Sequence, residues 1–496
     1  MTTLGRRRFL GLSGAALAGA LGVAGCTRTS TQEAAARAAD GGGVIRWWDH
    51  FQPLKPLHER IFAEYAKANP GVRVEHEVYN PNEMGQALQL AFKSNQIADV
   101  HSVAGLGLSE AALVASGWLA PLAGAEAIRA KLPADSLLEG LHIFDGKVYT
   151  FPIFSPRQYT TLNWFNRELV ERAGGDPVNG PATWEEFRAI AARITRDGGG
   201  KAYGWIQGLA FHERLQVHVV ELAMSAGAPL AMAQGGLGEL GLVDPRTGEY
   251  VYDTEPFVQA LEFLLSLVRD KVVFPASTSL DARTARARWA TGVAGMFFDG
   301  SWNIGVVNGQ FKQFVDKVGV GPIPSPSGKP VLYGAPAPGQ LFVSSQSRHV
   351  EAASGLLARF AGPEYSKELA AFMDQVPLDL EAVKRADVHP TYKRAVELFG
   401  QAVRLAPSPL VRNPAIAQVM SEMKSPRPTL GELTQGILSG EVTDIRKALR
   451  EYTGKMAAER ERALKEVSGK GVKVSLDDWK FPNWQAGQDY TAEMYR

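Results

Sequence analysis

Two acidic residues are the first candidates for chemistry in this chain. Asp49 and Asp299 each follow a short apolar run, and a pair of carboxylates can hydrolyse a glycosidic bond. A helix cap or a hydrogen bond to a ligand is the simpler role for each of them. The segment Asp299-Gly300-Ser301-Trp302 lacks the second glycine of a nucleophile elbow. The sequence therefore assigns no catalytic residue.

The local patterns of metal and nucleotide sites are also missing from the sequence. Gly146-Lys147 is followed by Val148 and not by the hydroxyl residue of a phosphate-binding loop. Neither His58-Glu59 nor His212-Glu213 has the second histidine of a zinc-protease helix, and a single cysteine cannot build a thiolate zinc site. A histidine pair six residues apart, such as His212 and His218, is more typical of a surface or a core. We expect no metal and no cofactor.

Cys26 is the only cysteine, so it forms no internal disulfide. A basic start at Arg6-Arg7-Arg8 and an apolar stretch from Ala15 to Ala24 precede it, in the order of a secretory signal. Val23-Ala24-Gly25-Cys26 resembles a bacterial lipobox, whose cysteine is acylated, and the start resembles a twin-arginine export signal. We expect residues 1–25 to be a signal peptide and Cys26 to anchor the protein to the outer face of the cell membrane.

The composition describes the body that this anchor would hold. Lys and Arg number 53 and Asp and Glu 52, for a net charge of +1, which argues against a nucleic-acid binder. Apolar residues make up 45% of the chain and charged residues 21%, as in globular proteins with a large core. Residues 27–43 are rich in Thr, Ser, Ala and Gly. Together with Cys26 they are expected to form a flexible tether, residues 26–43.

Strands and helices are predicted to alternate at the start of the body. The pattern gives strands at 44–48, 72–78 and 98–103, with helices at 53–69 and 82–95 between them. Such alternation predicts a mostly parallel sheet with helices on both faces. The fold class is therefore α/β.

Further signals follow along the chain. They are an Asp-Gly hairpin at 144–149, a capping box at Thr183 and Glu186, a helix at 257–270, a strand at 296–298, a Pro/Gly-rich stretch at 321–339 and a mostly helical region at 350–464. The last twenty residues carry five aromatic side chains, which predicts a tail that packs onto the body.

Several short segments together resemble one known family. They are 44–49, 116–122, 145–152 leading into 163–166, 182–187, 202–204, 292–302, 318–324, 347–353 and 440–441. In this order, over about 400 residues behind Cys26, they resemble the family 1 extracellular solute-binding proteins of bacterial ABC sugar importers. The chain is longer than a minimal member, and its aromatic tail is an addition.

The resemblance implies two hinged α/β lobes that hold a solute between them, with a helical C-terminal extension. We expect lobe 1 at 44–153, joined by 335–382, and lobe 2 at 156–333, joined by 384–496. The implied partners are a carbohydrate, which we expect to be a di- or oligosaccharide, and an ABC permease with a separate ATPase. The protein is expected to be a monomer that binds no nucleic acid and meets the membrane through its N-terminal lipid.

Eleven residues are predicted to contact the ligand. They are Trp48, Asp49, Gly105, Phe154, Arg157, Tyr159, Trp205, Asp299, Ser301, Trp302 and Gly334. Trp302 matches the family position where a ring often stacks on a sugar, and a core role is the alternative. Turn caps are alternatives for Asp299 and Ser301, a turn for the two glycines, and a surface role for Arg157. Trp47, Trp118 and Trp184 are expected in the core.

Three other functions remain open from the sequence. An exported hydrolase or lyase would need a carboxylate pair or another base in the cleft. A receptor for a glycerophosphodiester or another non-sugar solute would use the same fold, and phosphate would require several Arg or backbone N–H donors. A surface sensor without a permease partner would also look the same.

Overall fold

The computed structural model describes residues 43–106, 108–232 and 242–495. The predicted signal peptide, Cys26 and the tether before Gly43 lie outside the described residues. Within them, no helix combines the length and the apolar character needed to cross a membrane.

The described chain alternates strands and helices in its first two thirds and is mostly helical afterwards. The strands are β1 Gly43–Asp49, β2 Val72–Val78, β3 Val100–His101, β4 Ile143–Phe144, β5 Lys147–Val148, β6 Leu162–Asn166, β7 Tyr203–Ile206, β8 Ala294–Asp299, β9 Val318–Gly321, β10 Leu332–Gly334, β11 Phe342–Val343 and β12 Val403–Leu405. The helices are α1 Lys55–Ala68, α2 Pro81–Lys93, α3 Glu110–Ala115, α4 Ala125–Arg129, α5 Arg167–Arg172, α6 Trp184–Gly198, α7 His212–Ser225, α8 Glu255–Arg269, α9 Ala282–Trp289, α10 Asn303–Gln310, α11 Val350–Leu357, α12 Pro363–Ala371, α13 Leu380–Arg385, α14 Pro390–Ala402, α15 Pro409–Arg412, α16 Ile416–Glu422, α17 Leu430–Ser439 and α18 Ile445–Gly469.

The first sheet has the strand order β11-β3-β1-β2. β1 runs parallel to β2 and to β3, as the alternation of strands and helices predicts, and β11 closes the edge antiparallel to β3. One face of β1 buries Ile45 and Trp47 against α1, while Trp48 lies on the other face near α2. The predicted core position of Trp47 is confirmed, because its side chain is fully buried.

The second sheet has the strand order β7-β8-β6-β9. β7 is parallel to β8, whereas β6 runs antiparallel to both β8 and β9. All six residues of β8 are buried, which fits a central strand covered on both faces. The two sheets lie in the regions assigned to the two lobes, and the exact lobe boundaries remain a prediction.

Two local predictions are met in detail. Ile143–Phe144 pairs with Lys147–Val148, and the turn residues Asp145 and Gly146 have φ of 50° and 71°, the left-handed values that a tight hairpin turn requires. Thr183 caps α6 in a full capping box with Glu186.

Three segments link the two sheets. The first linking segment, 149–161, joins β5 to β6, and the second, 322–341, joins β9 to β11. The third linking segment, 372–378, leads from α12 towards the C-terminal helices. The pair of β10 and β12 lies beside these segments, since a Cβ on Gly334 would approach the carbonyl oxygen of Pro156 to 2.6 Å.

The aromatic tail packs down as predicted. Phe481, Trp484 and Tyr490 are buried in a small core with Tyr333 of β10. The tail is also hydrogen-bonded to the strand pair, because the Tyr490 amide donates to the Leu405 carbonyl oxygen over 2.8 Å. The aromatic tail therefore covers the β10–β12 pair.

Candidate ligand-binding site

The carboxyl end of β1 reaches the linking segments through aromatic contacts. Phe51, just after the strand, meets Phe154 edge to face with 5.5 Å between ring centroids. Phe154 in turn pairs with Pro377 in an isolated antiparallel bridge. One end of the first sheet thus lies against the first and third linking segments.

The carboxyl end of β8 reaches the same segments from the other side. Ser301 donates its hydroxyl hydrogen to the carbonyl oxygen of Asp374 over 2.6 Å. Asp374 belongs to the third linking segment. The strand ends of both sheets therefore flank the segments about which the lobes would hinge, which is where α/β proteins commonly bind solutes.

Trp302 is the half-exposed aromatic side chain at the end of β8. Its Nε1 donates to Asp299 Oδ1 over 2.8 Å, which fixes the orientation of the ring. A Cβ on Gly300 would come within 2.3 Å of the ring, so only glycine lets the indole lie this close to the backbone. The guanidinium of Arg214 also lies over the ring, 5.1 Å from the ring centroid.

Asp299 is buried and fully engaged by its neighbours. Its carboxylate accepts from Arg286 Nε at 2.6 Å, Asn303 Nδ2 at 3.2 Å and the Gly300 amide at 3.0 Å, as well as from Trp302. Burial opposes ionisation, but the Arg286 charge outweighs burial and holds the pKa of Asp299 below its usual value. In this conformation Asp299 positions Trp302 and has no side-chain surface left for a solute.

Two ionisable side chains near Trp302 lack such partners. The Arg214 guanidinium makes no hydrogen bond or ion pair with any residue that the structure describes. The Asp374 carboxylate is likewise without one among the described residues, and burial raises its pKa to about 7. Both groups remain available for polar contacts with a ligand.

The first sheet offers a more apolar surface. Trp48 is half-buried against Tyr79, with 5.2 Å between ring centroids. His50, one residue beyond β1, shares a hydrogen bond of 2.8 Å with Ser102 Oγ after β3, and burial lowers the pKa of His50 to about 4. This side of the site thus presents an indole and a neutral imidazole.

Asp49 lies in a buried polar cluster on the opposite face of β1 from Trp48. Its Oδ2 accepts from Trp47 Nε1 at 2.8 Å and is 2.9 Å from His58 Nδ1 and 3.0 Å from His76 Nε2. Burial would raise the pKa of Asp49, but the hydrogen bonds of the two histidines outweigh it and hold this pKa far below its usual range. In this conformation the side chain is fully buried and cannot reach a solute.

Asp49, His58 and His76 are also the donor types that bind zinc. Their ligand atoms lie within 4.8 Å of one another, the single such group of three among residues 43–106, 108–232 and 242–495. Hydrogen bonds to the shared Asp49 oxygen already account for the positions of the two imidazoles. The expectation of no metal remains a prediction.

Four of the remaining predicted contacts are buried or already paired within the protein. Trp205 is fully buried in the core of the second sheet beside Phe298, and Phe154 and Tyr159 are also buried. Arg157 forms a bidentate ion pair with Asp489 of the tail, and the shorter of the two N–O distances is 2.6 Å.

The other three predicted positions are mixed in accessibility. Gly105 lies in an exposed turn after β3, Gly334 is buried in β10 and Ser301 is buried at the end of β8. The structure therefore brings Asp299, Ser301 and Trp302 together. The predicted contacts with accessible surface are Trp48, Gly105, Trp302 and Arg157, and the guanidinium of Arg157 is paired with Asp489. The ligand roles of all eleven residues remain proposals.

Sequence reasoning missed Arg214, Arg286 and Asp374. Arg214 stands in the first turn of α7, immediately after the pair His212-Glu213 that was considered only for a metal site. Arg286 is one of several arginines on α9, and no local pattern distinguishes it from exposed neighbours. Their relation to Asp299 exists only after the sheet forms.

Several known proteins share this organisation. A family described as bacterial extracellular solute-binding protein matches residues 49–367. A binding protein of Brucella abortus (strain 2308) is 24% identical over 320 residues, covering 64% of this chain and 71% of the relative.

Solved structures agree with that match. The sugar-binding protein MalE of the phytopathogen Xanthomonas citri superposes with a TM-score of 0.59 at 19% identity, covering 87% of this chain and 100% of the other. Maltose-bound MalE3 of T. maritima gives 0.62 at 19% identity, with 84% and 99% covered. An ABC substrate-binding protein of Listeria monocytogenes in complex with cycloalternan gives 0.60 at 20% identity, with 84% and 99% covered.

These structural likenesses show the fold, which is the two-lobe α/β fold expected from the sequence. The family match covers more than half of the chain, from the last residue of β1 into α12, and includes Trp302. This chain belongs to the bacterial extracellular solute-binding proteins, family 1, with a MalE-like fold.

Proposed function

We propose that this protein is an exported, lipid-anchored receptor that captures a carbohydrate, a di- or oligosaccharide, between its lobes. It delivers that sugar to the permease of an ABC importer whose ATPase is a separate chain. Known proteins with this fold that bind maltose and cycloalternan support the carbohydrate class. Closure would be a hinge motion about the three linking segments, driven by contacts of the ligand with both lobes.

The observation that carries the proposal is the half-exposed Trp302 at the end of β8. The indole is hydrogen-bonded to Asp299 and packs closely against Gly300. It is therefore a rigid surface on which the apolar face of a sugar ring can stack. A sugar would lie beside Arg214 or replace it above the ring. Trp48, on the other sheet, is the corresponding indole that we assign to the opposite wall of the cleft.

A carbohydrate-active enzyme is less well supported by the same side chains. Asp49 and Asp299 are both buried, and their partners hold both pKa values low, so neither could act as a general acid near neutral pH. Asp374 has a pKa of about 7 and remains the residue that a test for turnover should address.

A thermal-shift screen of the full chain, solubilised from membranes in a mild detergent, tests the proposal. Sugars from monosaccharides to plant and bacterial oligosaccharides are added, with glycerophosphodiesters as a separate arm. A ligand at about a hundred times its Kd should stabilise the native state by about 2.7 kcal/mol. Stabilisation by phosphodiesters alone would contradict a sugar receptor, and loss of the bound glycan on incubation would indicate an enzyme.

Trp302→Ala should weaken binding of the sugar that gives the shift by about 1–3 kcal/mol, because the stacking platform is lost. Isothermal titration calorimetry measures this change. Trp184→Ala is the matched control, since Trp184 is a half-buried indole stacked on Phe263 and its Nε1 is bonded to the Pro324 carbonyl oxygen. Equal affinities of Trp302→Ala and the unmodified protein would exclude the stacking role.

A further inference from the structure

Arg214 is an unusual cation in this protein. It lies in the first turn of α7, half-buried over the ring of Trp302, and it has no hydrogen-bond or ion-pair partner among the described residues. Desolvation lowers the pKa of Arg214, which shows that its charge is held at a cost. A partly buried charge without a partner is expected to have one that comes from outside the chain.

Asp299 and Glu221 attract the charge of Arg214, but they do not outweigh its desolvation, and neither bonds to its guanidinium. Asp299 is the ionised one, and its direct partner is Arg286 at 2.6 Å. Glu221 is buried and bonded to the Thr160 amide and the Thr161 hydroxyl, and burial raises its pKa to about 7. Asp374 has a similarly raised pKa, so it is partly protonated near neutral pH. Two arginines therefore face one fully ionised carboxylate.

The arrangement of the stack favours recognition of an anion. A guanidinium that lies over an indole keeps its N–H groups at the edge of its plane, where a carboxylate or phosphate can accept two parallel hydrogen bonds. The ring beneath supports the charge through a cation–π contact.

We propose that Arg214 binds an anionic group on the ligand and that the site therefore selects acidic glycans over neutral ones. The shared chemistry is a planar or tetrahedral oxyanion on a sugar, such as the carboxylate of a uronic acid or a phosphate ester. This inference rests on the proposed carbohydrate-binding function and specifies the charge of its substrate. Arg157 is not assigned this role, because its guanidinium is already paired with Asp489.

Calorimetric titration of the full, detergent-solubilised chain with matched glycans tests the proposal. Oligogalacturonides are compared with galactose oligomers of the same length, and sugar phosphates with the parent sugars. We expect at least one acidic glycan to bind about 10- to 100-fold more tightly than its neutral counterpart, as one charge-assisted bidentate pair allows. Comparison of the oligogalacturonides with the sugar phosphates identifies whether the site binds a carboxylate or a phosphate.

Arg214→Gln should remove most of that preference, so the ratio of the affinities for the acidic and the neutral glycan should fall towards one. Arg288→Gln on α9 is the matched control, because Arg288 is exposed and lies outside the site. If Arg214→Gln folds poorly, the salt dependence of the unmodified protein replaces it, since the affinity for an acidic glycan should fall with ionic strength. Equal or tighter binding of neutral glycans overturns the inference alone, whereas no binding of any glycan overturns the proposed function as well.

Discussion

At the scale of single residues, Asp49 holds the first sheet together and contacts no solvent. Its carboxylate joins β1 to His58 on α1 and His76 on β2. Because the folded-state pKa is depressed, the stabilisation is present above the ordinary value of 3.8 and is lost as the pH falls below it.

Asp49→Asn should therefore destabilise the protein by about 3 kcal/mol, since it leaves buried donors poorly paired. Urea unfolding at pH 7 measures the loss. Asp253→Asn, at an exposed position, should leave the unfolding midpoint unchanged. A stable Asp49→Asn protein that instead loses ligand affinity would return Asp49 to the list of ligand contacts.

Glu110 gives the opposite dependence on pH. It is buried at the start of α3, and burial raises its pKa from 4.5 to about 7. A raised carboxyl pKa means that stability is fully present below pH 4.5 and is lost as the pH rises through 7.

Glu110→Gln should remove this loss, so its stability relative to the unmodified protein should rise by roughly 3 kcal/mol between pH 4.5 and pH 8. Chemical denaturation at several pH values measures the difference. Glu126→Gln on α4 is the control, because that side chain is 89% exposed. Parallel pH profiles for the unmodified protein and Glu110→Gln would contradict the assignment.

A site residue could be predicted from the sequence only where the side chains that contact it lie close to it along the chain. Trp302 could be chosen because its neighbours Gly300 and Ser301 form a short recognisable motif. The engagement of Asp299 by Arg286 and of Arg157 by Asp489 could not be foreseen, because the partners lie 13 and 332 residues away. Side chains selected as free polar groups therefore turned out to be paired.

At the scale of elements, the tail is the part that most clearly adds to the family pattern. Trp484 is 2% exposed and meets Tyr333 of β10 edge to face, with 5.1 Å between centroids. The tail thereby braces the β10–β12 pair next to the linking segments.

Trp484→Ala should cost about 3 kcal/mol of stability, since a large buried side chain is replaced by a cavity. Differential scanning calorimetry would show this as a lower Tm. Val178→Ala, at a 62% exposed position, should have little effect. If the Tm of Trp484→Ala equals that of the unmodified protein, the tail is not packed in solution.

Elements were predictable where the signal is local. The alternation in β2, the left-handed turn of the β4–β5 hairpin and the capping box of α6 all depend on neighbouring residues. The antiparallel entry of β6 into the second sheet and of β11 into the first had no such signal. The sequence thus supported the fold class but not the full strand order.

At the scale of the whole molecule, we propose that Cys26 tethers the two sheets and their linking segments to the membrane. Cys26→Ala should release the protein from the membrane fraction, because the acylated thiol is lost. Fractionation followed by immunoblotting measures the distribution. Ser30→Ala in the same segment should leave it membrane-bound, and continued anchoring of Cys26→Ala would exclude the lipoprotein proposal.

The edge strand β11 has a consequence for how the protein is made. Phe342 pairs with His101, so the first sheet is completed by residues that leave the ribosome long after β1 to β3. Until then β3 is an unpaired edge, which is a site for unwanted strand pairing. Such distant pairing also slows folding. We therefore expect the first sheet to be completed only after the second sheet has been synthesised, and chains truncated before residue 342 should aggregate.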